Sequence, residues 1–504
     1  DWRLFFLHGD RWRKLAPADV TRVAVEWLKP SNMTIGTFVP DAKPDRAPAA
    51  ASIDVPALVA GYRGDEAVAA GEAFDPTPAN LEARTERVKL ADGMTLALMP
   101  KKTRGEVVRF SLRLRFGDEA SLRGTAPTGA LTGSMLELGT RERTRQQFED
   151  ALDALRAKVS LSGGSTQASA SGETVRANLA GVLKLVAEAM KAPAFDAGEF
   201  DKLVRANLAS IEKARTDPQA IAGREFNRHL KPWPAGDVRE TPTFEESIAR
   251  LRAAKLDDLK AFHAKFYGTT NAELAIVGDF DPAEARALAE RLFGSWTSPS
   301  PYARVADPFR ATEPVVRTIE TPDKANAVLV GGMTIPMWDR SPDYPALLVA
   351  ERILGGATES RMFSVVRTKL GLSYGVGTWL DEGRLDESST FGVYAIYAPE
   401  NLGKVRAAVA AEIAQALDRG YTGEEVENAK RALLEERKSA RAQDATLAGA
   451  LVSQAFLGRT WAFSGDLDRA IASVSVEQAD AALRKYLKPA GLATFYAGDF
   501  AKKP

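Results

Sequence analysis

The chain has 504 residues, in which 67 Lys plus Arg balance 67 Asp plus Glu, and it contains no cysteine. This length exceeds the ~250–300 residues at which single cores stop growing, so more than one domain is expected. Zero net charge argues against general attraction to nucleic acid or anionic membranes, the lack of cysteine excludes disulfides and cysteine nucleophiles, and no apolar run approaches the ~18 residues of a transmembrane span.

A repeated pattern sets the predicted domain organisation. Residues 17–38, 256–280 and 476–500 each place a short helix before a polar turn and an apolar strand, and the last two copies end in Gly-Asp-Phe. Residues 39–56 and 297–314 are rich in Pro and lack helical or strand periodicity, which is typical of linkers. The chain is therefore predicted to hold the tail of one module followed by two complete modules.

Each complete module is predicted to have an α+β fold. Residues 106–116 alternate apolar and polar side chains, which indicates a strand with one buried and one polar face. We expect a mainly antiparallel sheet with helices packed on one face, present twice, and a polar sheet face free to line something. The predicted helices cover 146–158, 177–191, 199–215 and 282–293 in the first complete module, and 343–354, 360–369, 402–418 and 424–439 in the second.

Few residues are candidates for catalysis. The histidines are His8, His229 and His263, and their spacing allows neither HExxH nor HxxEH, so structural or surface roles are expected. No G-x-S-x-G nucleophile motif occurs, and the Ser/Gly-rich residues 160–172 are expected to form a hairpin or turn. The acidic pairs at 381–382 and 386–387 are expected to be solvated in a turn between strands.

Arg367 and Tyr374 lie seven residues apart in "VVRTKLGLSYGVG" and allow two interpretations. In the first, Arg367 offsets the dipole at a helix C-terminus, and Tyr374 is an ordinary strand aromatic. In the second, Gly371 ends the helix, residues 372–380 form a strand, and the two side chains meet near the chain reversal. A guanidinium and a phenol placed together would suit a peptide carbonyl whose oxygen becomes anionic on attack. Neither group can activate water.

The chain resembles the pitrilysin/insulinase family of zinc metallopeptidases, which includes the mitochondrial processing peptidases. The resemblance rests on "GEAFDPTPANLEART" (71–85), on "IVGDFDPAEARALAERLFGSW" (276–296), and above all on "SRMFSVVRTKLGLSY" (360–374), which matches the family pattern SRLxxxLRxxxGLxY. Family members have four such modules, of which two form a zinc-binding half and two form a second half. The resemblance implies that Arg367 and Tyr374 bind the substrate backbone and stabilise the tetrahedral intermediate, with Leu372 and Gly375 shaping the substrate-binding wall.

The zinc ligands of the family are absent from the sequence. The positions that correspond to HxxEH hold Ala130, Leu131, Thr132, Gly133 and Ser134. The later glutamate of the family should fall at Ala209 or Ser210, and Glu212 is out of phase with it. No metal ligand is therefore predicted in this chain.

The resemblance then implies a domain assignment. It gives residues 1–40 as the tail of a second module, 41–80 as the inter-half linker, 81–296 as a degenerate module, 297–314 as a linker, and 315–504 as the module that carries the Arg/Tyr pair.

The sequence therefore predicts the C-terminal, non-zinc half of a metallopeptidase that cleaves peptides or unfolded protein and is inactive alone. Zinc would be the cofactor of the other half, and the implied partners are an N-terminal catalytic half or a separate catalytic subunit, together with a peptide substrate. The alternative is a non-proteolytic scaffold or a peptide-binding subunit of the same family. A periplasmic location is expected from exported relatives in Gram-negative bacteria, with the cytoplasm as the alternative.

Overall fold

The computed structural model describes residues 3–34, 36, 54–61 and 70–501. The described residues divide into two compact units that lie within residues 1–69 and 70–504. Among its described residues, the first unit contains three α-helices, of which α1 and α3 are in contact. The strand predicted near residues 34–38 and the linker predicted at 39–56 lie largely outside the described residues. The helices of this unit are α1 (Arg3–Arg13), α2 (Pro17–Trp27) and α3 (Val55–Val59).

The first part of the second unit is built around a six-stranded sheet. Its strands are β1 (Glu86–Lys89), β2 (Thr95–Pro100), β3 (Val107–Arg115), β4 (Lys158–Gly163), β5 (Gln167–Val175) and β6 (Ala272–Gly278). Its helices are α4 (Pro78–Arg84), α5 (Ala126–Met135), α6 (Arg145–Ala154), α7 (Leu179–Lys191), α8 (Ala197–Ala214), α9 (Pro218–Leu230), α10 (Phe244–Arg252), α11 (Leu256–Phe266) and α12 (Pro282–Phe293).

A five-stranded sheet follows. Its strands are β7 (Val315–Glu320), β8 (Ala327–Ile335), β9 (Gly375–Asp381), β10 (Ser389–Tyr397) and β11 (Ala493–Gly498). Its helices are α13 (Tyr344–Leu354), a π-helix (Phe363–Lys369), α14 (Leu402–Arg419), α15 (Gly423–Arg441), α16 (Asp444–Leu457), α17 (Trp461–Ala472) and α18 (Val476–Tyr486).

The two sheets have the same topology. The first has the order β1-β2-β6-β3-β5-β4 and the second has the order β7-β11-β8-β10-β9. The last strand of each sheet along the chain makes the parallel pair: β6 pairs parallel with β2, and β11 pairs parallel with β7. The other pairs are antiparallel. The α+β class, the mainly antiparallel sheets and the internal repeat are therefore confirmed.

Burial along β3 shows why the alternating pattern forms a strand. Val108, Phe110, Leu112 and Leu114 are all at most 2 % exposed and lie in the core formed with α7, α11 and α12. At about 25 cal/mol per Å² of apolar surface buried, side chains of this size contribute roughly 1.5–3 kcal/mol each. The helix-facing side of this sheet therefore contributes substantially to its stability.

The opposite face of the first sheet is not free, which corrects the expectation from its polar side chains. Helix α16, which comes from the second sheet's part of the chain, packs on β3 and β6. Its Leu447 and Leu451 join Ala275 and Val277 in one buried cluster. The alternating residues of β3 indicated a solvent-exposed sheet face. A sheet face exposed to solvent and a sheet face covered by an amphipathic helix from a distant part of the chain can have the same sequence pattern.

The second sheet is covered in the same way by α9 from the first sheet's part of the chain. Phe226 and Leu230 pack against Phe495 and its neighbours in β11, and the ring of Phe226 meets that of Trp379 edge to face at 6.1 Å. Helices α9 and α16 hold equivalent places in the two repeats. Each sheet is thus covered on one face by its own helices and on the other by the equivalent helix of its neighbour.

A buried ion pair lies under α16. Arg115 Nε donates to Glu273 Oε2 at 3.1 Å, and the Arg115 guanidinium stacks on the Phe456 ring at 3.3 Å. Burial raises the pKa of Glu273 to about 7, although the charges and hydrogen bond of Arg115 and the charge of Arg113 act in the opposite direction. The contact between α16 and the first sheet therefore contains a carboxyl group that titrates near neutral pH.

This carboxyl group predicts a pH dependence of stability. The pKa of Glu273 in the folded protein lies above its ordinary value. The folded protein therefore gains stability as the pH falls from about 7 towards 4.5, and this gain is absent above pH 7. The gain, relative to the Glu273→Gln variant, is expected to be on the order of 2 kcal/mol between pH 8 and pH 5. Urea unfolding of both proteins across this range measures it. If the free energies of unfolding of the two proteins changed in parallel with pH, the raised pKa of Glu273 would be contradicted.

Candidate functional site

Helix α5 carries the positions where the family has its zinc motif, and its packing leaves no room for that motif. A Cβ atom on Gly133, at the position of the motif glutamate, would lie 2.3 Å from backbone atoms of Gly163 in β4. Any side chain at 133 would therefore collide with the sheet edge. Ala130 and Ser134, at the positions of the two histidines, are exposed and carry no ligating group.

The remaining residues do not replace these ligands. No group of three or more His, Asp and Glu side chains arranged to hold a metal occurs among the described residues. His229 Nε2 bonds to the Glu313 carbonyl at 2.6 Å, and Nε2 of half-buried His263 bonds to the Met190 carbonyl at 2.8 Å. Glu212 is exposed and pairs with Arg215. The residues present do not fit a zinc ion.

Arg367 lies on a π-helix that ends the predicted helix at 360–369. Leu370 N donates to Val365 O at 2.9 Å, a five-residue spacing, and Gly371 follows with φ of +62°, a conformation that favours glycine. Single-turn π segments are rare and often occur at functional sites. The exposed Arg367 side chain crosses the chain reversal, where its Nε donates to the Tyr374 carbonyl at 2.9 Å.

Tyr374 is positioned by its backbone, and its side chain extends into solvent. Its N–H donates to Ile396 O in β10 at 2.8 Å, and Ser373 Oγ donates to the same carbonyl at 2.9 Å. The Tyr374 side chain is 68 % exposed. Within the described residues, neither its hydroxyl nor the Arg367 Nη groups have a hydrogen-bond partner.

Leu372 and Gly375 have different places in this region. Leu372 is half-buried against the core of the second sheet, beside buried Val376, so its side chain supports the loop. Gly375 opens β9 and pairs with Ile396. A Cβ atom added at Gly375 would meet nothing within 4 Å, so the backbone there is open to a ligand. The strand begins at 375, three residues later than predicted.

Strand β9 is fixed to α13 by buried polar contacts. Thr378 Oγ1 donates to the Glu351 carboxyl at 2.7 Å, and Thr378 N donates to Gly355 O at 3.1 Å. Burial raises the pKa of Glu351, and the hydrogen bond from Thr378 opposes that effect. The middle of β9 is therefore anchored to α13 through Thr378.

The structure joins the Arg367 side chain to the main chain of Tyr374, through the hydrogen bond from Nε to the carbonyl oxygen. The pair forms an exposed edge with a free phenol donor, free guanidinium N–H groups and the open backbone of Gly375. Such an edge can donate hydrogen bonds to the carbonyl groups of an extended peptide. It contains no nucleophile and no base placed to activate water. Exposed Leu370, which the sequence did not single out, adds an apolar side chain beside it.

The acidic turn between β9 and β10 corrects one expectation. Asp386 is not merely solvated, because it accepts hydrogen bonds from Arg304 at 2.9 Å and from Asp307 N at 2.9 Å. These contacts tie residues 297–314, which have neither helix nor strand, to the second sheet. The hydrogen bonds from Arg304 lower the pKa of Asp386, and burial opposes that effect.

Comparison with known proteins shows similarity to the peptidase M16 family. Residues 253–433 match the model of the peptidase M16 inactive domain. An uncharacterized zinc protease of Rickettsia bellii is 26 % identical over 299 residues, which are 58 % of this chain and 68 % of that protein. The uncharacterized zinc protease YmxG of Bacillus subtilis is 24 % identical over 186 residues, 37 % of this chain and 43 % of that protein.

Solved structures share the fold. A peptidase M16 inactive domain from Pseudomonas fluorescens superposes with a TM-score of 0.72 at 24 % identity, covering 82 % of this chain and 97 % of that one. The periplasmic protease PqqL of Escherichia coli gives a TM-score of 0.67 at 14 % identity. That comparison covers 96 % of this chain and 50 % of PqqL, so the chain spans half the length of that relative.

Residues 253–433 are therefore similar to the inactive domain of the peptidase M16 family, which is the pitrilysin/insulinase group. The resemblance predicted from the sequence is thus confirmed by this match and by the zinc proteases among the relatives. None of the helices in the described ranges combines the length and apolarity needed to cross a membrane.

Proposed function

We propose that this chain is the non-catalytic half of a zinc peptidase that cleaves peptides or unfolded protein. Zinc, held by the other half or by a partner subunit, supplies the water-activating chemistry. The observation that carries the proposal is the exposed edge at Arg367 and Tyr374, where the phenol hydroxyl and the guanidinium Nη groups have no hydrogen-bond partner among the described residues. The inactive-domain match and the zinc proteases among the relatives support it.

In this proposal each residue of the edge has a separate task. The Tyr374 hydroxyl donates a hydrogen bond to the carbonyl oxygen that becomes anionic on attack. Arg367 already uses Nε to hold the Tyr374 carbonyl, so its free Nη groups bind a neighbouring carbonyl of the substrate. Gly375 lets the peptide approach the start of β9, and Leu372 supports the loop from beneath.

We also propose the domain assignment given by the sequence, with residues 1–40 as the tail of a preceding module. The apolar surface of α1 and α2 supports this, because neither helix buries a residue within the described part of the chain. Trp12 is 71 % exposed and Val25 is 70 % exposed. Apolar surface of this kind is typical of an interface, here with the rest of that module. Residues 41–80 would join the halves, and 297–314 would join modules 81–296 and 315–504.

We assign the assembled peptidase to the periplasm, with the cytoplasm as the alternative. The support is the likeness to PqqL, a periplasmic protease of which the match covers 50 %. Cell fractionation with an antibody against the chain distinguishes the two compartments.

Reconstitution tests the proposed function. The chain is expressed alone, and together with an M16 half from the same genome that carries HxxEH. Neither half alone is expected to cleave a quenched fluorescent peptide, whereas the assembled pair is expected to cleave it, and o-phenanthroline should abolish the activity by removing zinc. A stable pair with intact zinc and no hydrolysis of peptide or casein would support the scaffold alternative.

A further inference from the structure

A cavity of about 600 Å³ lies between the π-helix and helices α13, α14 and α15. The residues that line it include charged side chains and an apolar floor, and Arg367 is not among them. Ile353 and Ala429 on this floor are buried, while Val365 is half-buried. The cavity is thus a separate feature on the helical side of the second sheet.

Two of the ion pairs in the cavity wall are complete. Arg361 donates to both oxygens of Glu425, at 2.6 and 2.7 Å, and Arg352 donates to Glu359 at 3.1 Å. Burial acts to raise the pKa of Glu425, but hydrogen bonds from Arg361 and Thr422 lower it to about 2. Arg352 also donates to both oxygens of Glu436, at 2.8 Å each, so these charged groups already have partners.

Glu412 on α14 is the exception. Its residue is only 7 % exposed, its Oε2 atom is buried without a partner, and neither oxygen makes a hydrogen bond or ion pair with the described residues. Burial raises the pKa of this carboxyl group, while the charges of Arg361 and Lys369 act in the opposite direction. An unsatisfied buried carboxylate is costly, and such a group in a native protein indicates a missing partner.

Lys369 supplies the second unpaired charge. It lines the same cavity from the end of the π-helix, is exposed, and forms no ion pair within the described ranges. The cavity therefore offers one carboxylate and one ammonium that do not contact each other. A divalent cation would find too few oxygens here, since Ca²⁺ takes about 6–8 ligands and Glu425 is already engaged.

We propose that this cavity binds a small zwitterion, namely a short peptide with free termini. The ligand's ammonium group pairs with Glu412 and its carboxylate pairs with Lys369. Gln415 and Asn428, which also line the cavity, offer hydrogen bonds to the peptide group. The floor of Ile353, Val365 and Ala429 accepts an apolar side chain.

Isothermal titration of the full chain with alanyl-leucine tests this proposal. N-acetyl-alanyl-leucine, which lacks the ammonium, and alanyl-leucinamide, which lacks the carboxylate, are each expected to bind at least tenfold more weakly. Glu412→Gln and Lys369→Met are each expected to weaken alanyl-leucine binding at least tenfold. The matched control is Glu424→Gln, an exposed carboxylate on α15 that does not line the cavity and should leave binding unchanged.

Thermal unfolding of the variants shows that they are folded, and Glu412→Gln should match or exceed the parent because it removes a buried charge. Several results would overturn the proposal: no binding of alanyl-leucine at millimolar concentration, equal binding of the capped peptides, or binding of Ca²⁺ through Glu412 without peptide binding. A further result would also overturn it: the parent chain binds no peptide, and Lys369→Met without peptide unfolds at a lower temperature than the parent chain. Lys369 and Glu412 would then simply pair with each other.

Discussion

Replacing Tyr374 by Phe in the assembled peptidase is expected to lower kcat by about 10²–10³, because one oxyanion donor contributes that much to acyl-transfer rates. KM for the same peptide should change far less, since the phenol acts mainly on the transition state. Stability should be unaffected, because the Tyr374 side chain is exposed and its hydroxyl has no partner among the described residues. Steady-state kinetics with a quenched fluorescent peptide measure the change.

Tyr394→Phe is the matched control for this experiment. Tyr394 lies on neighbouring β10, is 39 % exposed, and has its ring 6.4 Å from that of Trp379. Removing its hydroxyl also deletes one phenol from the second sheet, but kcat should stay within about twofold, since surface changes are usually small. Unchanged hydrolysis in Tyr374→Phe would contradict the role assigned to that residue while leaving the family assignment intact.

Phe226→Ala is expected to lower the free energy of unfolding by about 3–5 kcal/mol, the range for removing a buried Phe side chain. Phe226 is 3 % exposed and packs from α9 onto the second sheet, against Phe495 and Trp379. The loss should affect the second sheet even though Phe226 belongs to the first sheet's part of the chain. Urea unfolding followed by tryptophan fluorescence, to which Trp379 contributes, measures it.

Phe309→Ala provides a comparison with the same side chain removed at a site that is 38 % exposed. Its cost should stay below about 1 kcal/mol, as for most surface substitutions. If both variants lost equal stability, the coverage of the second sheet by α9 would not be a significant source of that stability.

Local patterns predicted much of the fold. The alternating residues of β3 bury their apolar face, and the helix predicted at 282–293 matches α12 to the residue. These features depend on neighbours within a few positions. The coverage of each sheet by α9 or α16 depends on partners more than a hundred residues away, as with Leu447 and Ala275. Such pairing has no local periodicity, so the opposite sheet faces were wrongly expected to be free.

The candidate site also combines features that local sequence predicted with features that depend on the folded structure. The spacing of Arg367 and Tyr374 placed them near one chain reversal, and the structure joins them through a hydrogen bond. The sequence could not show that the helix beneath them is a π-helix, because that depends on how Gly371 and Leu372 bond back to the last turn. Glu412 also escaped notice, since one glutamate among the charged residues of α14 shows nothing of its burial.

The exchange of α9 and α16 has a consequence for the origin of this chain. Two identical subunits that each lend one helix to the other's sheet form a domain-swapped dimer with twofold symmetry. Joining their ends through a connector such as residues 297–314 would give one polypeptide with the topology seen here. Each copy could then diverge while the lent helices kept them together. In such a history, one copy came to expose Arg367 and Tyr374 at the edge of its sheet, while the other came to pack α5 closely on β4 at Gly133.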